Sequence, residues 1–178
     1  MATLLDPELL QVIDSFEGQP FSNDIWRVTW ATRDPIAGNA GGGRWSPRDS
    51  FEALYTSMES DGALAEVYHH LSKAPVFSSS QTKLHCLKVS LENVLILGEE
   101  ELGQLGIDDP YATRLELNSS QAIGQGAYMM GFQGLVVPSA RWECLNLILF
   151  IDQIDINEDI EIVDSKDINW PAWKEKNA

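Results

Sequence analysis

The sequence predicts a single domain of mixed α and β structure, with helices and strands interleaved along the chain around one core. Two observations carry this. At 178 residues and 44% hydrophobic content, the chain is long enough to bury a real core and falls in the ordinary globular range. Segments with helical apolar spacing alternate with short β-rich or continuously apolar runs, and no internal repeat, low-complexity tract or linker divides them.

The elements follow in order. Asp6-Pro7-Glu8 reads as a helix start, with Asp6 as N-cap and Pro7 at the first helical position. Leu9, Leu10, Ile13 and Phe16 keep helical spacing, and Gly18 ends this packing helix. Residues 25–31 have strand composition, and alternation puts Trp26, Val28 and Trp30 on one face and Arg27 and Thr29 on the other. Arg27 is then either a solvated strand residue, which alternation alone slightly favours, or the floor of a polar cleft. Residues 51–58 form the next strand, where Tyr55 either fills the core or stacks on a flat ring.

A helix is predicted from Ser60-Asp61-Gly62 to residue 72, with Ala63, Leu64, Val67, Tyr68 and Leu71 as its apolar stripe. Glu66 lies nearly opposite Leu64 on the helical wheel, on the side that faces solvent. A serine-rich loop at residues 75–81 precedes strands at 83–89 and 94–97, then an acidic helix or turn that begins at Glu99-Glu100-Glu101 and ends near Gly106, and a break at Asp108-Asp109-Pro110. Residues 118–131 read as a helix in which Gly124 and Gly126 mark close packing against a neighbour. Two short buried strands, 134–138 and 145–151, follow, and Ser139 stands at the end of the first, where its hydroxyl can reach a cleft or serve a structural bond. The last stretch, with Trp170 and Trp173 around Pro171, docks onto the core.

Charge narrows the function. A net charge of -15 argues against nonspecific nucleic-acid binding, which runs on phosphate neutralisation by Lys and Arg; it suits solubility and a basic partner. Four of the six arginines, Arg27, Arg33, Arg44 and Arg48, nevertheless fall within residues 27–48, where Asp34 is the only acid. That local +3 points to a small anionic ligand, since the guanidinium fork suits phosphate or carboxylate; pairing with acids elsewhere in the fold is the alternative.

The same stretch holds Gly41-Gly42-Gly43-Arg44-Trp45. Three successive glycines are either an ordinary loop or a backbone that must be bare because a ligand or another chain comes close. Other chemistry is excluded on spacing. Cys86 and Cys144 lie far apart and outside any CxxC, so they read as buried free thiols. His69, His70 and His85 have no metal-ligand spacing. Asp155-x-Asn157-x-Asp159 fails as a calcium loop because Ile160 replaces the glycine and Lys166 the bidentate glutamate. No long apolar run or basic-plus-apolar leader is present, so a soluble, cytoplasmic protein that neither enters a membrane nor binds nucleic acid directly is expected.

The ordered set Trp26-Arg27, Gly42-Gly43-Arg44-Trp45-Ser46-Pro47, Leu54-Tyr55-Thr56-Ser57, Ala63-Leu64-Ala65-Glu66 and Val137-Pro138-Ser139-Ala140 resembles the RES-domain family, named for its Arg, Glu and Ser residues. The resemblance implies an α+β fold with a central mixed, largely antiparallel sheet and flanking helices, like that of ADP-ribosyltransferase toxins. It covers residues 25–151, the expected catalytic domain; residues 1–24 are then a lead-in, and residues 152–178 an acidic extension expected to pack on the core. It also implies NAD as substrate, no metal, an Xre-type antitoxin as partner, and a toxin that degrades NAD by hydrolysis or phosphorolysis; a homodimer stays open. Carried over by motif, Arg27 and Arg44 bind the phosphates, with Gly43 beside them, Tyr55 contacts the nicotinamide end, Glu66 is the catalytic carboxylate and Ser139 completes the pocket. Transfer of ADP-ribose to a protein, and a non-catalytic NAD- or protein-binding module, are the alternatives. Two departures stand out: the family's Asn-x-Leu-x-Asn-Pro-like run after Pro-Ser appears here only as Leu145-Asn146-Leu147-Ile148-Leu149-Phe150, and the motifs offer no counterpart for the segment after Asp152.

Overall fold

The structure is a computed structural model and describes residues 5–73, 81–111 and 117–177. The expected serine-rich loop lies, save for Gln81, outside the described residues. Helix α1 (Pro7–Ser15) starts where the sequence places it: the Asp6 carboxylate accepts the Glu8 N–H at 2.9 Å, and Pro7 sits in the first turn, where no N–H is missed.

Among the described residues six strands form one mixed sheet: β1 (Gln19–Trp30), β2 (Ala53–Ser57), β3 (Thr82–Ile96), β4 (Gly134–Pro138), β5 (Leu145–Phe150) and β6 (Ile160–Asp167). Their order is β1-β2-β5-β4-β3-β6, and only β3 and β4 run parallel. Because β1 also pairs with β3, the first five strands close on themselves, and β6 lies outside on β3. The closure is uneven. β1 and β3 share a ladder from Gln19↔Val94 to Trp30↔Thr82, whereas β1 meets β2 only at Trp26↔Ser57. Beyond that bridge the two strands part.

Two strand boundaries differ from the sequence reading. Residues 83–89 and 94–96 belong to one continuous strand, in which Val89, Leu91 and Val94 point into the core while Ser90 and Glu92 face out. β1 pairs with Val89, Ser90 and Leu91, the register shifts between Leu91 and Val94, and the N–H groups of Glu92 and Asn93 in between donate to Gln133 Oε1 at 2.9 and 3.1 Å. β1 likewise begins at Gln19, since Ser22, Asn23 and Asp24 pair with Ser90, Val89 and Lys88 despite poor strand propensity.

Each face of the sheet buries its own core. Ala53, Leu95, Leu135, Val137, Ile148 and Phe150 face α1, α3 (Glu99–Gln104) and α4 (Leu117–Met129). Ile25, Leu54, Leu87, Val136, Leu147 and Leu149 fill the inside of the curl. Each fully enclosed side chain of this size stabilises the fold by ~1.5–3 kcal/mol before entropy is set against it. Helix α2 (Ser60–Ser72) packs on β1, and α5 (Trp170–Asn177) packs against α2. The Trp170 Nε1–H donates to Thr82 Oγ1 at 2.9 Å, and the Trp173 Nε1–H to Asp61 Oδ1 at 3.0 Å. The architecture is thus α+β: a central mixed, largely antiparallel sheet flanked by helices.

Cys86 and Cys144 are free thiols, half-buried where full burial was expected. Among the described residues, no helix is long and apolar enough to cross a membrane.

Candidate active site

The parting of β1 and β2 opens a cavity of about 760 Å³, walled by both strands, the glycine-rich loop, α2 and the turn after β4. Arg27, Gly43, Arg44, Tyr55 and Glu66 all line it. Five residues spread over forty positions of sequence therefore meet in one place, because the split lets β1, the loop and β2 face α2 across a gap.

The glycine-rich loop ends in a tight turn. The Gly43 N–H donates to the Ser46 carbonyl at 2.8 Å, with Arg44 and Trp45 at the corner, and Gly42 takes a positive φ of 87° that favours glycine. The turn is clamped from two sides. From β2, the Tyr55 hydroxyl accepts the Trp45 N–H at 3.0 Å and shares a hydrogen bond with Ser46 Oγ at 2.8 Å. From α4, the Gln121 Nε2–H donates to the Gly43 carbonyl at 2.8 Å, and Gly124 lies directly under the Trp45 carbonyl. A Cβ on Gly124 would stand 1.6 Å from that oxygen, so the close packing read from the sequence is real. Gly126 serves the same end against α1, where a Cβ would meet Ile13 Cδ1 at 2.7 Å. The bareness of Gly43 also has a protein-side cause: a Cβ there would lie 2.5 Å from the Tyr55 hydroxyl.

Arg27 is not the solvated strand residue that alternation favoured. It is half-buried on the cavity wall, and its Nη1 donates to the carbonyls of Pro35 at 3.2 Å and Ala37 at 3.1 Å. Burial, and then the neighbouring Arg33, push its pKa down to about 10, with Asp34 opposing them; it stays charged at neutral pH. Arg44 donates from Nη2 to the Pro110 carbonyl at 2.5 Å and lies over the Trp45 ring at 5.8 Å. Its Nε is buried and, among the described residues, has no hydrogen-bond partner. Burial lowers its pKa, Glu66 raises it, and Arg141 lowers it again. Tyr55 is pushed above its ordinary value by burial, so it remains a hydrogen-bonding phenol.

Glu66 does sit on the polar side of α2, as its periodicity requires, but that side forms one wall of the cavity. Its side chain is 44% exposed, and Oε1 lies 3.5 Å from His70 Nε2 one helical turn on. Ser139 departs from the expected picture. It is buried and absent from the cavity wall, because its Oγ turns to the backbone and accepts the N–H groups of Arg141 at 3.2 Å and Trp142 at 3.3 Å.

Sequence reasoning missed Arg141, Asn146 and His70, which also line the cavity. Nothing in their spacing marks them; Arg141 follows the Pro-Ser motif so closely that only its charge could have drawn notice. Among the described residues, no group of three or more His, Cys, Asp or Glu side chains could hold a metal ion.

The arrangement defines a class: an α+β domain whose sheet splits around a cavity with three guanidiniums and one carboxylate. Residues 24–171 match the RES domain family model, and the chain belongs to the RES-domain family. That match takes in β6, a segment for which the motifs alone offered no counterpart. In sequence the chain is similar to the NAD(+) phosphorylase MbcT of Mycobacterium tuberculosis and of Mycobacterium bovis, each 30% identical over 151 residues, covering 79% of this chain and 80% of the relative. In structure it is similar to a chain of the M. tuberculosis MbcT–MbcA toxin–antitoxin complex, with a TM-score of 0.85, 26% identity, and coverage of 97% of this chain and 98% of that one.

Proposed function

We propose that this protein degrades NAD by phosphorolysis on the cytoplasmic NAD pool, and that it is the toxin of a toxin–antitoxin pair whose antitoxin is a small protein partner. The observation that carries the reading is the convergence of Arg27, Arg44, Tyr55 and Glu66 on one cavity in a chain related to an NAD(+) phosphorylase.

Arg27 and Arg44 offset the two charges of the diphosphate inside a protein whose net charge of -15 would otherwise repel it. Their bonds to backbone carbonyls and the clamped turn hold both guanidiniums in place before substrate arrives, so little ordering is left to binding. Tyr55 braces the turn and presents its ring to the nicotinamide end. Cleaving the nicotinamide–ribose bond develops oxocarbenium character at the anomeric carbon. The Glu66 carboxylate stabilises that charge and orients the incoming nucleophile. The bonding pair leaves with the pyridinium nitrogen, so nicotinamide departs neutral and no leaving-group acid is needed. We assign this chemistry to residues 25–151, with 1–24 as a lead-in and 152–178 as a segment that braces the sheet and α2.

The test is to incubate purified protein with NAD, with and without inorganic phosphate, and to follow free nicotinamide and the ADP-ribose product. Phosphate-dependent nicotinamide release that Glu66→Gln abolishes is expected. Equal nicotinamide from wild type and Glu66→Gln overturns the proposal, and label from NAD appearing on a protein instead would point to ADP-ribose transfer.

A further inference from the structure

Phosphorolysis needs a second anion in the cavity besides the dinucleotide, and Arg27 and Arg44 account for only one. Arg141 enters the same cavity from the turn between β4 and β5. Its position is built. The Ser139 hydroxyl accepts the N–H groups of residues 141 and 142, the Ser139 N–H donates to the Cys144 carbonyl at 2.9 Å, and the Trp142 Nε1–H donates to Glu59 Oε2 at 3.2 Å. These bonds close the turn from both ends and from Glu59, the N-cap of α2. The Arg141 guanidinium itself has no hydrogen bond or ion pair among the described residues, unlike Arg27 and Arg44, which are both tied to backbone carbonyls.

The electrostatics leave this cation wanting a partner. Burial and then Arg141 depress the pKa of His69, while burial, ahead of Glu66 and Arg141, governs that of Arg44. Glu66, the carboxylate on that wall, already faces His70. A cluster of cations whose charges are not cancelled by the protein is relieved by an anion, and a planar guanidinium fork suits a phosphate's oxygens.

We infer that Arg141 is the binding residue for the attacking inorganic phosphate, and that Ser139 is the residue that positions it. The inference rests on the phosphorolytic reading above. In the step, an oxygen of hydrogen phosphate forms a bond to the anomeric carbon as the carbon–nitrogen bond breaks. The electron pair goes to nicotinamide, and the phosphate's proton is lost to solvent from the resulting monoester, so charge and atoms balance with no further reactant. Arg141 holds the phosphate dianion against the repulsion of the dinucleotide's own phosphates. Ser139 thereby serves the site from beneath its wall.

Steady-state kinetics with NAD and inorganic phosphate varied separately test this. Arg141→Met raises KM for phosphate about ten- to hundred-fold while KM for NAD stays near wild type; Arg141→Lys recovers part of the loss. Ser139→Ala raises the same constant by less. Should Arg141→Met not fold, Arg141→Gln serves in a thermal-shift titration with inorganic phosphate against chloride of equal ionic strength, where wild type is stabilised and the variant is not. An unchanged phosphate KM, or a rise confined to NAD, in a folded Arg141 variant overturns the role of Arg141. A rise confined to NAD in Ser139→Ala overturns the positioning role of Ser139. A wild-type protein that releases no nicotinamide fails at the earlier step and overturns the phosphorolytic reading itself.

Discussion

The phenolic oxygen of Tyr55 accepts the backbone N–H of Trp45 at 3.0 Å. This bond ties the turn that carries Arg44 to the strand that carries the aromatic ring, so two sides of the cavity are joined by a hydrogen bond. Removing the hydroxyl leaves the Trp45 N–H unpaired beside a buried indole. Tyr55→Phe is therefore expected to destabilise the fold by about 1–3 kcal/mol. Urea denaturation measures this, and an unchanged midpoint would show that the turn stands without its brace.

Gly124 gives a sharper test of the same turn. A methyl group there meets a backbone carbonyl, which cannot swing aside as a flexible side chain could. Gly124→Ala is expected to cost ~1–3 kcal/mol or more through overpacking and to weaken NAD binding by displacing Trp45 and Arg44. Gly103→Ala, in open space on α3, is the control: it should leave NAD binding alone and hold or slightly raise stability. Melting temperatures with and without NAD compare the two; equal behaviour would mean that the helix yields rather than the turn.

The proposed role of Glu66 is tested by separating chemistry from binding. Glu66→Gln keeps shape and most packing but cannot stabilise a developing positive charge. Nicotinamide release is expected to fall by about 10²- to 10⁴-fold while NAD still raises the melting temperature. Loss of both together would assign Glu66 to binding instead of chemistry.

His85 should make stability depend on pH. It is 4% exposed and lies across from Arg27, between Thr29 Oγ1 at 2.8 Å on one ring nitrogen and Ser165 Oγ at 2.7 Å on the other. Burial, then the charges of Arg27 and Lys83, hold its pKa below the ordinary 6.5. With the folded value depressed, the unfolded chain binds the proton first. The neutral ring's contribution is complete above pH 6.5 and is lost as pH falls through the lower folded value. His85→Gln should flatten the decline in melting temperature on acidification from neutral pH. A decline as steep as that of wild type would place the titration elsewhere.

Much of the fold was legible because local chemistry and periodicity agreed with the final structure. Asp6 and Pro7 started α1 correctly, and the apolar stripe of Ala63, Leu64 and Val67 marked α2. The boundaries of β1 and β3 were not legible, because polar residues such as Asn23 and Ser90 become strand only when a partner ladder takes up their backbone groups.

By itself the sequence determined the elements, the cluster of arginines, the bare glycine turn and the order of motifs that marks the family. Only the tertiary structure decided that α2 turns its polar side toward a cavity, so that Glu66 shares one cavity with Arg44 and Tyr55. It also decided that Ser139 turns inward to the backbone while Arg141 joins the wall. The reason is geometric. A helical wheel tells which side of a helix is polar, but what stands opposite is set by the parting of β1 from β2, a relation between strands far apart in the chain.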